Sequence, residues 1–180
     1  MLQTLLIVRV HIRSITEPKL KRRQVVVQRD CYNMKEYTQA DRRQLLIHKA
    51  LKSPLSIIAS DGAAYNIGDA KDGFLTHPRS FGCFSRVLSR YVREKNVISL
   101  EEAIKKMTAL PALKMGLAYR GAIEPKYFAD IVIFNPELIK DMATFENPFQ
   151  YSRGLHSVII NGRVALTNGQ IKNQALGQLL

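Results

Sequence analysis

Ser56-Ile57-Ile58-Ala59-Ser60-Asp61-Gly62 joins a short apolar run to a carboxylate and a glycine. A run of this length bounded by turn signals reads as a buried strand. A carboxylate just past the end of such a strand is costly to bury unless it is paired or used. In barrels of parallel strands the C-terminal strand ends carry the catalytic groups. Asp-Gly is also a turn pair in its own right. On spacing alone, a turn-forming Asp61 is the favoured reading.

Downstream, Gly62 to Ser80 contains Gly62, Gly68, Gly73 and Pro78 and reads as a long irregular loop, a class that is usually functional. Phe84, Val87, Leu88, Tyr91 and Val92 then fall on one helix face, with Arg86, Arg90 and Arg93 on the other side. Ser99-Leu100-Glu101-Glu102 is a capping box, so a helix is expected from Leu100 to about Ala109. A shorter helix is expected from Pro111 to Leu117, ended by Gly116. Beyond Arg120-Gly121 the period changes to that of strands. Ala129–Phe134 and Ser157–Ile160 are apolar runs, and Asn161-Gly162 before Arg163-Val164-Ala165-Leu166 is the strongest hairpin signal in the chain. A second turn is expected at Asn168-Gly169.

Upstream, Met34–Leu51 reads as a helix with Thr38 as N-cap, Leu45, Leu46 and Lys49 at helical spacing, and Ser53-Pro54 as its stop. Residues 1–33 form an unassigned basic N-terminal segment. Leu5-Leu6-Ile7-Val8 and Val25-Val26-Val27 have strand or buried-helix character around the basic Thr16–Arg23.

The composition narrows the function classes. A hydrophobic content of 46% over 180 residues supports a sizeable core rather than disorder. No stretch is long and apolar enough to cross a membrane, and no signal peptide is evident. Cys31 and Cys83 are far apart and make no disulfide framework, which points to a reducing, cytoplasmic setting. His11, His48, His77 and His156 are scattered, without a local zinc motif. The net charge of +12 peaks at Lys19, Lys21, Arg22, Arg23 and Arg29. With no aromatic platform or nucleic-acid motif, this block reads as a solvated face or arm, and nucleic acid is not an expected partner.

In combination, several runs resemble the C-terminal part of the metal-dependent amidohydrolases, in their D-aminoacylase (N-acyl-D-amino-acid deacylase) branch. They are Ser60-Asp61-Gly62, the stretch from His77-Pro78-Arg79 to Phe84, Tyr91–Glu94, Leu100–Thr108, Leu110-Pro111-Ala112, Arg120-Gly121, Ala129–Pro136 and Val158–Gly162. Each is weak alone. Their order and spacing make the combination specific.

The resemblance implies an α/β fold: the C-terminal portion of a (β/α)8 barrel over 34–118 and a small β-sandwich piece over 119–180. It implies that Asp61 is the catalytic general base and acid, which reverses the reading from spacing. It places His77 and Arg79 at the substrate mouth, where Arg79 is suited equally to pairing a substrate carboxylate and to anchoring the loop by a salt bridge to the scaffold, and a lone His77 reads as a loop-packing or hydrogen-bonding residue rather than a metal ligand. Cys83 stands where the family commonly has Thr, and reads as a small buried residue. Lys126 replaces a usual glycine in a turn needing positive φ, where it would be strained.

A complete barrel takes about 250 residues. Only sixty residues precede Asp61, room for two strand–helix units at ~30 residues each. The resemblance implies zinc in the full-length family, on ligands from earlier strands that have no counterpart here. The expectation is therefore an incomplete barrel that holds no metal by itself. It would be inactive alone, and would act on an N-acyl-D-amino acid only when completed by an N-terminal part. Exposed barrel edges would otherwise favour self-association or a partner chain, as in a non-catalytic assembly module.

Overall fold

A computed structural model describes residues 4–5, 40–65, 67–68, 76–173 and 175–178. Helices and strands combine as expected of an α/β protein. Strand β1 is Thr4–Leu5. Helix α1, Ala40–Lys52, stops at Ser53-Pro54 as expected, while the Thr38 cap lies outside the described residues. Its inward face differs from the expected one. Ile47 and Leu51, one turn apart, are buried, whereas Leu45 and Leu46 are more than half exposed.

Ser56–Ser60 has no regular secondary structure and is not a strand of any sheet among the described residues. A strand exists only where a neighbour completes its ladder, and the partner of Ile58 is a helix end: its N–H donates to the Lys106 carbonyl at 3.0 Å. Ile58 is nevertheless buried, in keeping with its apolar character.

Helix α2, Arg79–Arg86, continues as a wider π-helical stretch, Val87–Glu94. Val87, Leu88 and Tyr91 are buried, with Phe84 and Val92 packed beside them, so the expected apolar face is the observed one. The arginine side is engaged rather than merely solvated. Arg86 pairs with Asp141 at 2.9 Å, and Arg93 donates to the carbonyls of Pro136 and Ile139.

Helix α3, Leu100–Met107, starts at Ser99, whose hydroxyl accepts the Glu102 N–H at 3.2 Å. The Glu102 carboxylate turns towards Lys106, at 3.4 Å, rather than back to the cap. Helix α4, Ala109–Lys114, carries Pro111 in its first turn. It ends at Gly116 (φ 68) with paired bonds from Gly116 to Leu113 and from Leu117 to Ala112. That pairing is a Schellman termination.

The remaining strands are β2 (Ile131–Phe134), β3 (Leu155–Ile160), β4 (Arg163–Thr167) and β5 (Gln170–Ile171). They form one antiparallel sheet in the order β1-β2-β3-β4-β5. Asn161 and Gly162 both have positive φ, as do Asn168 and Gly169, so the two expected turns are present. Asp130, the one charge in its apolar run, is buried. It pairs with Arg120 and accepts the Asn161 N–H at 2.7 Å.

One apolar core joins the helices to the sheet. It gathers Ile47 and Leu51 of α1, Ile58, Val87, Leu88 and Tyr91, Ala103 and Met107 of α3, and Val132 and Phe134 of β2. The segment leading to Asp61 thus lies between α1 and α3, with one side in the core.

Candidate functional site

The segment reaching Asp61 is anchored at its start. Lys106 is fully buried, and its ammonium donates to the Ser53 carbonyl and to the carbonyl and hydroxyl of Ser56. Burying a lysine is tolerated only when its charge is met by such acceptors. The Cys83 thiol, buried in α2, lies 3.7 Å from the Ala59 carbonyl. At the far end Ser60 Oγ accepts the Gly62 N–H at 3.2 Å. A side chain at Gly62 would meet the Ser80 Cα at 2.8 Å, so this glycine lets the segment touch the start of α2.

The three residues expected at the site come together there. Asp61 has φ 48, in the left-handed region, and its side chain is 57% exposed. Arg79, the first residue of α2, reaches it twice. Nε donates to the Asp61 carbonyl at 3.1 Å, and Nη2 lies 3.2 Å from the carboxylate. His77 Nδ1 accepts the Arg79 N–H at 3.1 Å. That N–H belongs to the first turn of a helix, where amides lack an internal partner, so the imidazole serves as a cap. Burial lowers the pKa of His77, the neighbouring Arg79 charge lowers it further, and Asp61 opposes the shift. The ring is therefore held neutral, the form that can accept.

A wall of aromatic rings stands beside this triplet and was not read from the sequence. Phe145 packs edge-on to His77 at 5.1 Å. Phe81 of α2 meets Phe149 at 5.4 Å and Tyr151 at 6.1 Å, and Tyr65 meets Phe149 at 6.1 Å. The segment carrying Phe145, Phe149 and Tyr151 is folded on itself. Thr144 and Asn147 exchange bonds, and Gln150 Nε2 donates to Met142 and Asn147 carbonyls. Three aromatic residues within 145–151 were the available signal. An exposed carboxylate, a guanidinium and an apolar wall can accept a proton, bind an anion and cover an apolar group.

The amidohydrolase family model matches residues 47–166. Among curated proteins, an N-acyl-D-aspartate deacylase of Alcaligenes xylosoxydans xylosoxydans is 39% identical over 134 residues, which is 74% of this chain and 26% of that protein. A D-aminoacylase of the same organism is 43% identical over 104 residues, 58% of this chain and 22% of that protein. Among solved structures, a D-aminoacylase described for its binuclear metal centre has a TM-score of 0.63 at 38% identity. The match covers 71% of this chain and 26% of that one. The N-acyl-D-glutamate deacylase of Bordetella bronchiseptica, complexed with zinc and a phosphonate inhibitor, gives 0.60 at 35%, covering 73% and 25%. The chain thus spans about a quarter of the length of these relatives.

The relatives bind zinc or another metal. Here, no three His, Cys, Asp or Glu side chains gather into a metal-holding group among the described residues. The Asp61 carboxylate faces Arg79, and His77 Nδ1 is committed to a helix amide. These residues do not by themselves fit a metal. Nor is any described helix long and apolar enough to cross a membrane.

Proposed function

The chain belongs to the amidohydrolase family, and from that premise we propose that it is the base-bearing C-terminal part of an N-acyl-D-amino-acid deacylase. In this reading 34–118 is the end of an incomplete (β/α)8 barrel and 119–180 a small β-sandwich unit, in a cytoplasmic protein. The observation that carries it is Asp61. Its exposed carboxylate, gripped by Arg79, lies inside the matched region.

The reaction splits a linear amide into a carboxylate and a D-amino acid. Asp61 accepts the proton of the attacking water as its oxygen bonds to the amide carbon. The carboxyl group then returns that proton to the amide nitrogen as the C–N bond breaks. Arg79 pairs the carboxylate of the substrate through Nη1 and Nη2. His77 lines the mouth and holds the helix amide behind Arg79. A zinc ion, with its ligands drawn from an N-terminal part in the same product or in a partner chain, would make the attacking water acidic enough to react at neutral pH. The proposal therefore makes the 180-residue chain inactive alone.

The test is hydrolysis of N-acetyl-D-glutamate, N-acetyl-D-aspartate and N-acetyl-D-leucine with zinc, by the chain alone and mixed with the N-terminal part of a relative. Turnover only in the mixture, lost in Asp61→Asn, is expected. A folded, zinc-loaded mixture without turnover would sink the reading.

A second reading is favoured by one observation. Leu55 is 91% exposed and Leu113 is 78% exposed, with Leu45 and Leu46 also uncovered. Such surface suits a non-catalytic assembly module. Size-exclusion chromatography separates the two, because an assembly module elutes as an oligomer or captures its partner, and a concentration-independent monomer rules it out.

A further inference from the structure

Asp61 combines a left-handed backbone with an exposed side chain. The left-handed backbone is a conformation that L-residues disfavour, Asp less than most. Its side chain is more than half exposed, so packing does not fix its rotamer. Yet a group that transfers a proton to a bound substrate must be held within about 0.5 Å of its productive place. Something other than burial has to hold it.

We propose that Arg79 is the positioning residue for Asp61, acting through one edge of its guanidinium. Nε and Nη2 lie on the same edge of that planar group. Nε takes the backbone carbonyl of Asp61 and Nη2 takes its carboxylate. One rigid fork thus fixes the main chain and the side chain of the same residue. The fork is itself held, because Arg79 opens α2, Pro78 before it is buried, and Gly62 after Asp61 lies against Ser80. The adjoining end, Nη1 with the second N–H of Nη2, is left for an anion, and among the described residues Nη1 meets no acceptor. Arg79 would therefore set the separation between the base and the substrate carboxylate with a single planar group. Lysine carries the charge without the fork and cannot do this.

The proposal rests on the deacylase reading only for what the carboxylate does. Its test needs no turnover, so the two fail separately. In the 180-residue chain, the Arg79 Nε–H should exchange with solvent about five- to tenfold more slowly than that of exposed Arg163, as one net hydrogen bond allows. In Arg79→Lys and Arg79→Met, the carbon chemical shifts of Asp61 should leave their left-handed values while the amide shifts of the Asn161-Gly162 hairpin stay in place. Equal exchange at Arg79 and Arg163 would overturn the proposal, and this reading of the unsubstituted chain stands even if a variant fails to fold. So would left-handed shifts at Asp61 retained in both folded variants.

Discussion

Lys106 and Ser56 are joined twice: the buried ammonium donates to both the carbonyl and the hydroxyl of Ser56, each at 3.1 Å. The same lysine takes the Ile58 N–H on its own carbonyl. The turn before the Asp61 segment is therefore fastened to α3 by one residue, through its side chain and its backbone. Lys106→Met keeps most of the volume but removes the donor to the part-buried Ser56 carbonyl, while the Ser53 carbonyl keeps the Ser56 N–H and hydroxyl. Each unsatisfied buried group costs about 1–3 kcal/mol. Urea unfolding of Lys106→Met should show a loss in that range. A loss no larger than that of an exposed lysine such as Lys114 would contradict the fastening role.

A second buried charge links the helical part to the sheet. Arg120 pairs with Asp130, both side chains about nine-tenths buried, and the guanidinium lies over the Phe128 ring at 4.2 Å. Asp130 in turn holds the turn of the β3–β4 hairpin through the Asn161 N–H. Removing one partner of a buried pair typically costs about 3–5 kcal/mol, because the other charge stays behind. Arg120→Leu should fall in that range. Adding Asp130→Asn, which removes the stranded charge, should recover part of it. Equal stabilities of the single and double variants would show that the stranded charge is not the cause.

Lys126 has φ 73, as expected for a position where the family commonly has glycine. A lysine there pays the left-handed penalty that glycine avoids, while glycine gains entropy in the unfolded chain. The net effect of Lys126→Gly should be a stabilisation of about 0.5–1 kcal/mol. Thermal unfolding measures it, and an unchanged or lower midpoint would mean that the lysine side chain contributes more than its exposed position suggests.

What was legible in the sequence was local chemistry. The Asn161-Gly162 turn, the Ser99 cap, the Gly116 stop and the positive φ at Lys126 each depend on one or two residues and their own backbone. What escaped depends on partners distant in the chain. Ser56–Ser60 has strand composition, but a strand also needs a neighbour, and here a helix end takes its N–H. Glu102 and Lys106 have the spacing of a solvated helix pair, yet Lys106 is fully buried because Ser53 and Ser56 lie above it. That Asp61, His77 and Arg79 belong in one neighbourhood was implied by the family resemblance, whereas the grip of Arg79 on the Asp61 backbone and the wall of Phe145, Phe149 and Tyr151 required the fold.

Two histidines give the chain a defined response to acid. His77 is lowered in pKa by burial and then by Arg79, with Asp61 opposing. His48 is lowered by burial and then by Lys95 and Lys52, and its buried Nε2 has no hydrogen-bond partner among the described residues. In both, the unfolded chain takes up a proton near the ordinary value of 6.5 while the folded chain still resists it. Where the unfolded state binds more protons, stability rises with pH. The stabilisation from neutral histidines is thus fully present above pH 6.5 and is lost as pH falls from there through the folded values. Protonation of His77 also removes the acceptor of the Arg79 N–H and sets a positive charge at the start of α2, which the helix dipole disfavours. Glu101, lowered by its own backbone amide and the Ser99 hydroxyl, loses its contribution only at lower pH, below its ordinary 4.5. Urea midpoints at pH 7.5 and 5.0 should therefore fall in the unsubstituted chain. The fall should be smaller in His77→Asn and smaller again with His48→Gln added. A pH response identical in all three proteins would show that neither histidine is held neutral by the fold.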